Sequence, residues 1–212
     1  MRLGIIGPIG SGKSTLAYLL STYYNAPLVK EPVENSPFLP LFYSDMKKFG
    51  LIAQFAFYGE LFLSMFKYKD ESKLVCDSTM FSNLVFAELL KKENILSSED
   101  VNMIYEVANS HMKLLPEFDI HIVLVRDEES LFENVKKRDR KLEEGQYEYL
   151  KFHYANYAGI LDSIFLKYNV PRQNILYLKV DNMFDDLHFH DLVAQIEERY
   201  SNIINQQQML IL

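Results

Sequence analysis

At 212 residues with a formal net charge of -7, the chain is long enough to bury one substantial core and too acidic for broad binding to DNA, RNA or an anionic membrane. Its 49% hydrophobic content, with 15 Phe, 14 Tyr and no Trp, is that of a packed protein with little room for long disorder. A single cysteine, Cys76 in the apolar run LVC, excludes an internal disulfide and suits a buried thiol in a reducing compartment.

In chain order, RLGII (Arg2 to Ile6) reads as a buried strand and STLAYLLSTYY as the helix after a glycine loop. The short apolar runs PLVK, KLVCD, IHIVLV and ILYLKV supply four further strands. Helical patterns fill the intervals at Asp45 to Tyr68, Ser97 to Leu115, Glu128 to Lys137, Tyr147 to Tyr168 and Asp185 to Tyr200. Ser98 is the expected cap of the second of these, and Pro116 its expected stop. The tail INQQQMLIL suits either a frayed end or a docked one.

Alternating strands and helices predict an α/β fold, with a mostly parallel five-stranded sheet covered on both faces by right-handed crossovers. No internal repeat or Pro/Gly linker divides the chain, so residues 1–212 are read as one domain. LIAQFAFYGELFLSMF is too short, and too polar at Gln54 and Glu60, for a bilayer span. The amino terminus shows no signal-peptide pattern. A cytoplasmic protein without membrane or nucleic-acid partners is the expectation.

The strongest motif is Gly7-Pro8-Ile9-Gly10-Ser11-Gly12-Lys13-Ser14, a GxxxxGK[ST] sequence between the first strand and its helix, followed by Thr15. Small residues let successive backbone N-H groups turn inward around phosphates, and the helix adds its positive end. Lys13 can pair with β- and γ-phosphate oxygens and the Ser14 hydroxyl can ligate Mg2+. Asp77, closing the third apolar run, can hold the metal or cap the next helix.

The acceptor is read from KEPVEN, Lys30 to Asn35. Glu31 follows a strand, Pro32 fixes the backbone, and a carboxylate there can take the proton of an attacking hydroxyl; solvated turn acids are the alternative. Glu34 is the less favoured of the two. Tyr43, Gln54 and Leu61 are separated by 11 and 7 residues and share one helical face if the helix continues through Gly50. A Gln amide offers a donor and an acceptor to a base edge. Phe55, Phe57, Phe62 and Phe66 are read as core, with one of them free to line a pocket.

GPIGSGKST, KEPVENSPFLPLFYSD, Gln54, CDSTMFSNLVFA and KKRDRKLEE together resemble the deoxyribonucleoside kinase family, particularly bacterial deoxyadenosine and deoxyguanosine kinases, over most of the chain. The resemblance implies a P-loop kinase fold with a short arginine-containing lid at about 138–146. It implies transfer of the γ-phosphoryl group of ATP or another NTP, with Mg2+, to the 5'-hydroxyl of a deoxyribonucleoside, and a homodimer. Glu31 then resembles the base, Tyr43 and Glu143 the contacts to the sugar 3'-hydroxyl, and Gln54 the base reader. Arg138 and Arg140 resemble the lid arginines, and Ser14 and Asp77 the Mg2+ side.

Three positions depart from the family pattern. Ser78 stands where many members carry Arg, Leu61 replaces a common Arg, and Asn83 replaces a common acid. The last two changes are coupled by charge, because an arginine lost from a partly buried pair strands its carboxylate. Asn83 therefore joins the expected nucleoside contacts. Gln54 favours a purine such as deoxyadenosine, while Leu61 and Asn83 leave deoxyguanosine and pyrimidines open. A nucleoside monophosphate kinase, or a non-catalytic nucleotide-binding regulator, is the alternative reading. No NKxD base-reading motif is present for a guanine-nucleotide switch. The five histidines form no metal-binding pattern, and His188 and His190 fall in the last helical region.

Overall fold

The computed structural model describes residues 1–32, 36–138 and 145–209. The strands are β1 (Arg2–Ile6), β2 (Leu28–Val29), β3 (Leu74–Asp77), β4 (Ile120–Val125) and β5 (Ile175–Lys179). They form one sheet in the order β2-β3-β1-β4-β5, and every pairing is parallel. The helices are α1 (Lys13–Tyr24), α2 (Phe38–Ser44), α3 (Met46–Phe66), α4 (Met80–Lys92), α5 (Ser98–His111), α6 (Glu128–Arg138), α7 (Tyr147–Lys167) and α8 (Asp186–Met209).

Successive strand residues face opposite layers, which splits the core in two. Leu3, Ile5, Val75, Ile120, Ile122, Leu124, Leu176 and Leu178 pack with Leu16, Leu20, Leu192 and Ile196 of α1 and α8. Ile6, Leu74, Cys76 and Val123 face the other way, toward residues of α3, α4, α5 and α7. Burial pushes the Cys76 thiol pKa up, as expected of a packing residue. The sheet order reverses at β1, so the carboxyl end of β1 opens beside a topological switch point.

The five strands stand where the apolar runs place them, but several local expectations are corrected. Two helices, α2 and α4, lie outside the helical intervals read from the sequence. Ser97, not Ser98, caps α5: its side chain accepts from Asp100 N-H at 3.1 Å, while the Asp100 carboxylate accepts from Ser97 N-H at 2.8 Å. The same helix stops at His111 and tightens into a 3-10 turn over Met112–Leu114, ahead of Pro116. The last helix runs nine residues beyond Tyr200, to Met209. Its 210–212 tail lies outside the described residues.

The Tyr43 to Leu61 face does not lie on one helix. Asp45 adopts extended backbone (φ -158, ψ 90), and its carboxylate accepts from Lys48 N-H at 3.0 Å, ending α2 and starting α3. Length does not disqualify α3 as a membrane span either, because the helix starts at Met46 and reaches 21 residues at mean hydropathy 1.4. Here one face of it, with Ala53, Gln54, Tyr58, Leu61 and Met65, is buried in the core.

Candidate active site

The segment between β1 and α1 folds as a glycine-rich loop around an open space. Gly10 and Gly12 sit at φ 81 and φ 92, which side-chain-bearing residues rarely adopt. A Cβ at Gly10 would also meet the Leu131 carbonyl oxygen at 2.6 Å. Ser11 N-H donates to the Pro8 carbonyl at 3.2 Å, and Asn134 Nδ2 donates to the Gly10 carbonyl at 2.8 Å. Lys13 is buried, and its Nζ donates to the Pro8 carbonyl at 3.2 Å, so the ammonium is folded back over the loop. No acidic residue occupies the first turn of α1, leaving the positive end of the helix uncompensated.

Outside this loop lies a cleft of about 1250 Å³. It is lined by Gly10, Gly12, Lys13, Ser14 and Thr15, by Glu31 and Asp77 at the ends of β2 and β3, and by Lys137 and Arg138 in the last turn of α6. Ser14 and Asp77 bring a hydroxyl and a carboxylate to the lining of this cleft, hard-oxygen donors of the type that suits Mg2+. The lining also includes residues that sequence reasoning missed: Arg126 after β4, and Asp181, Asn182, Met183 and Phe184 after β5. Arg126 Nη2 donates to the Asp181 carbonyl at 3.0 Å, joining the two loops. Neither loop carries a motif; only the rule that sites lie beyond strand ends points to them.

On the other side of Lys13 a narrower cavity of about 90 Å³ is lined by Ile9, Tyr43, Gln54, Phe57, Leu61, Ser78, Ser82, Asn83, Phe86 and Tyr149, among others. It is smaller than the roughly 300 Å³ at which ligand pockets usually begin, so its walls must part to take a ligand. Phe42, Tyr43 and Tyr149 form one edge-on cluster with centroids 5.3 to 6.3 Å apart. Phe57 is the one phenylalanine of the four expected as core that lines this cavity. Leu61 is both buried and part of the cavity wall.

Gln54 and Asn83 are 4% and 7% exposed, and their Oε1 and Oδ1 atoms have no hydrogen-bond partner. Each such buried acceptor costs about 1–3 kcal/mol, a cost removed when a ligand supplies the donor. Behind this wall His153 packs against Phe86 and Tyr157 at centroid distances of 4.8 and 5.2 Å. Burial, aided by the Lys13 charge, pulls its pKa down to about 3 and keeps the ring neutral. Burial also drives the Tyr157 phenol pKa up.

Lys13, Glu31, Pro32 and Arg138 line both spaces, so the cleft and the cavity meet at a carboxylate and two cations. Tyr43, Gln54 and Asn83 come together from α2, α3 and α4, as their joint assignment requires. Ser78 also reaches the cavity wall. Arg140 and Glu143 lie outside the described residues, as do Glu34 and most of the expected lid.

The model of the deoxynucleoside kinase family matches residues 3–201. Over 149 residues the chain is 31% identical to a deoxyguanosine kinase of Lactobacillus acidophilus, a match covering 67% of this chain and 64% of that protein, just under two thirds of its length. Over 199 residues it is 27% identical to a deoxyguanosine kinase of Lactobacillus johnsonii, covering 90% and 88% of the two chains. The structure of a deoxyadenosine kinase from M. mycoides with bound dATP superposes with a TM-score of 0.70 at 25% identity, covering 98% of this chain and all of that one. The five-stranded parallel sheet flanked by helices is the fold of that structure too, and by the extent of the family match the chain belongs to the deoxynucleoside kinase family.

Proposed function

We infer that the chain transfers the γ-phosphoryl group of ATP or another NTP to the 5'-hydroxyl of a deoxyribonucleoside, with a purine such as deoxyadenosine as acceptor. One observation carries this reading: Lys13, Glu31 and Arg138 stand between a large polar cleft and a mostly apolar cavity that ends in two buried amides. The cleft suits a triphosphate, and the cavity, once its walls part, a nucleoside. The names of the relatives, deoxyguanosine and deoxyadenosine kinases, support a purine.

Catalysis then rests on positioning and charge. The loop from Gly7 to Thr15 holds the donor phosphates through its inward N-H groups, and Lys13 leaves the Pro8 carbonyl to pair with them. Ser14 and Asp77 would hold Mg2+, which offsets charge on the phosphates when bound. Glu31 accepts the proton of the 5'-hydroxyl, and Arg138 stabilises the equatorial oxygens as the phosphoryl group crosses. Tyr43 orients the sugar, with Gln54 and Asn83 meeting the base edge. Arg140 and Glu143, in a lid at about 138–146, complete the reading by adding a second cation and a sugar contact. We take the chain as one catalytic domain acting in the cytoplasm as a homodimer, for which light scattering is the test.

Incubation with Mg2+-ATP and a panel of deoxynucleosides and their 5'-monophosphates tests the acceptor. The expected result is turnover of a deoxynucleoside. Turnover of a monophosphate alone would assign the chain to the monophosphate kinases, and turnover of neither would leave it a nucleotide-binding regulator.

A further inference from the structure

Helix α7 presents one buried aromatic stripe to the core. Tyr149, His153 and Tyr157 stand at i, i+4 and i+8 and so share a face. Tyr149 lines the narrow cavity, and His153 lies between Tyr149 and Tyr157 at centroid distances of 6.2 and 5.2 Å. Helix α4 crosses this stripe antiparallel: Phe86 faces His153 at 4.8 Å, and Phe81, earlier on α4, faces Phe165, later on α7, at 5.4 Å. That register sets Ser82, one turn before Phe86, opposite Tyr157, one turn after His153. Ser82 and Tyr157 are each 2% exposed, and among the described residues neither hydroxyl has a hydrogen-bond partner. Tyrosines buried this deeply usually find one.

The groups that act on the phenol come from both halves of the site. Burial is the main cause of its raised pKa; the Ser82 side chain pulls the value back, the Glu31 charge pushes it up, and the Gly7 N-H pulls it back. Glu31 and Ser82 also line the same cavity. A hydroxyl can donate once and accept twice. The phenol can therefore accept from Gly7 N-H while donating to Ser82 Oγ, which leaves the Ser82 O-H to point into the cavity where Glu31 stands. Small side-chain rotations suffice, and the cavity walls must shift in any case to take a nucleoside. Two unpaired buried hydroxyls destabilise the fold, a cost of the kind found where activity needs a group that the fold does not.

We propose that Tyr157 is a positioning residue: through Ser82 it bridges the start of the glycine-rich loop to the cavity, and holds the donor phosphates and Glu31 in one frame during transfer. Phosphoryl transfer needs its two reactants in line, and a misplacement of about 1 Å costs on the order of 10²-fold in rate. Tyr157 lines neither the cleft nor the cavity, so its loss falls on kcat rather than on either KM. The inference rests on the deoxynucleoside kinase reading of the two spaces.

The experiment compares Tyr157→Phe, Ser82→Ala and the double variant with the wild type, using Mg2+-ATP and the deoxynucleoside that the wild type accepts best. Tyr157→Phe is expected to lose about tenfold in kcat with both KM values within about threefold of wild type. The double variant should lose no more than the larger single loss, because one bridge is broken in all three. The urea midpoint of Tyr157→Phe should equal or exceed that of the wild type, since an unpaired buried hydroxyl is removed. An unchanged kcat in Tyr157→Phe overturns the proposal, and so does a double-variant loss equal to the product of the single losses. A lowered urea midpoint makes the hydroxyl a support of the fold and overturns it too. If the double variant does not fold, the kinetics and midpoint of Tyr157→Phe decide. A wild type that phosphorylates no deoxynucleoside overturns the kinase reading and the bridge with it, a result seen before any variant is made.

Discussion

Asn134 of α6 donates from its side-chain amide to the Gly10 carbonyl at 2.8 Å. The bond spans 124 residues of sequence and ties the helix that carries Arg138 to the left-handed corner of the phosphate loop. Removing it in Asn134→Ala leaves that carbonyl without its donor. The expected outcome is a rise of about 3- to 10-fold in KM for ATP, with KM for the nucleoside little changed. Initial rates with each substrate varied in turn check both.

Glu31 lines both the cleft and the cavity. In Glu31→Gln the side chain keeps its shape and loses its capacity to take a proton. The expected fall in kcat is about 10²- to 10⁴-fold at saturating nucleoside and Mg2+-ATP. A rate near that of the wild type would falsify the assignment of Glu31 as base.

Gln54→Leu preserves volume and deletes both hydrogen-bonding atoms from the cavity wall. A drop of about 10- to 100-fold in kcat/KM for the preferred nucleoside is expected, carried mainly by KM. Stability should hold or rise slightly in chemical denaturation, because a buried unpaired amide is exchanged for a methyl pair.

Arg138 closes α6 at the point where the two spaces meet. On the proposed reading Arg138→Ala removes the cation that meets the transferring group, and kcat is expected to fall about 10²- to 10³-fold. Single-turnover measurements, which separate phosphoryl transfer from product release, should show the loss in the chemical step.

Two buried histidines set a pH limit on the fold. His121 packs against Phe81, Phe118 and Phe165, and burial pulls its pKa down to about 4; His153 is pulled down to about 3. The native state refuses protons that the unfolded chain takes up near pH 6.5, so stability is fully present above that value and is lost as pH falls toward the folded pKa values. Each ring adds a slope of up to about 1.4 kcal/mol per pH unit. Urea midpoints at pH 7 and pH 5 are expected to differ less in His153→Phe than in the wild type. An equal difference would mean that the ring is charged inside the fold.

The glycine-rich loop was legible in the sequence because its pattern is local: consecutive small residues, a lysine and a hydroxyl between a strand and a helix. Strand positions followed from short apolar runs, since a parallel sheet buried on both faces needs side chains that are apolar regardless of alternation. Glu31 and Asp77 were read from their places at strand ends. Helix packing was less legible: Asp45 was read as the start of the α3 pattern, yet the Tyr43 to Leu61 spacing was laid across it, and the structure puts its two ends on separate helices.

By itself, then, the sequence determined the fold class and named the glycine-rich loop and the residues proposed for the site, all of which are read from neighbours along the chain. Only the tertiary structure decided that Tyr43, Gln54 and Asn83 reach one cavity from three different helices. It also brought Arg126 and the 181–184 loop to the lining of the cleft. Such meetings depend on how helices pack across the sheet, a property of contacts distant in sequence that no local spacing encodes. The two unpaired amide oxygens are of the same kind, because lack of a partner can be known only when every neighbour is in place.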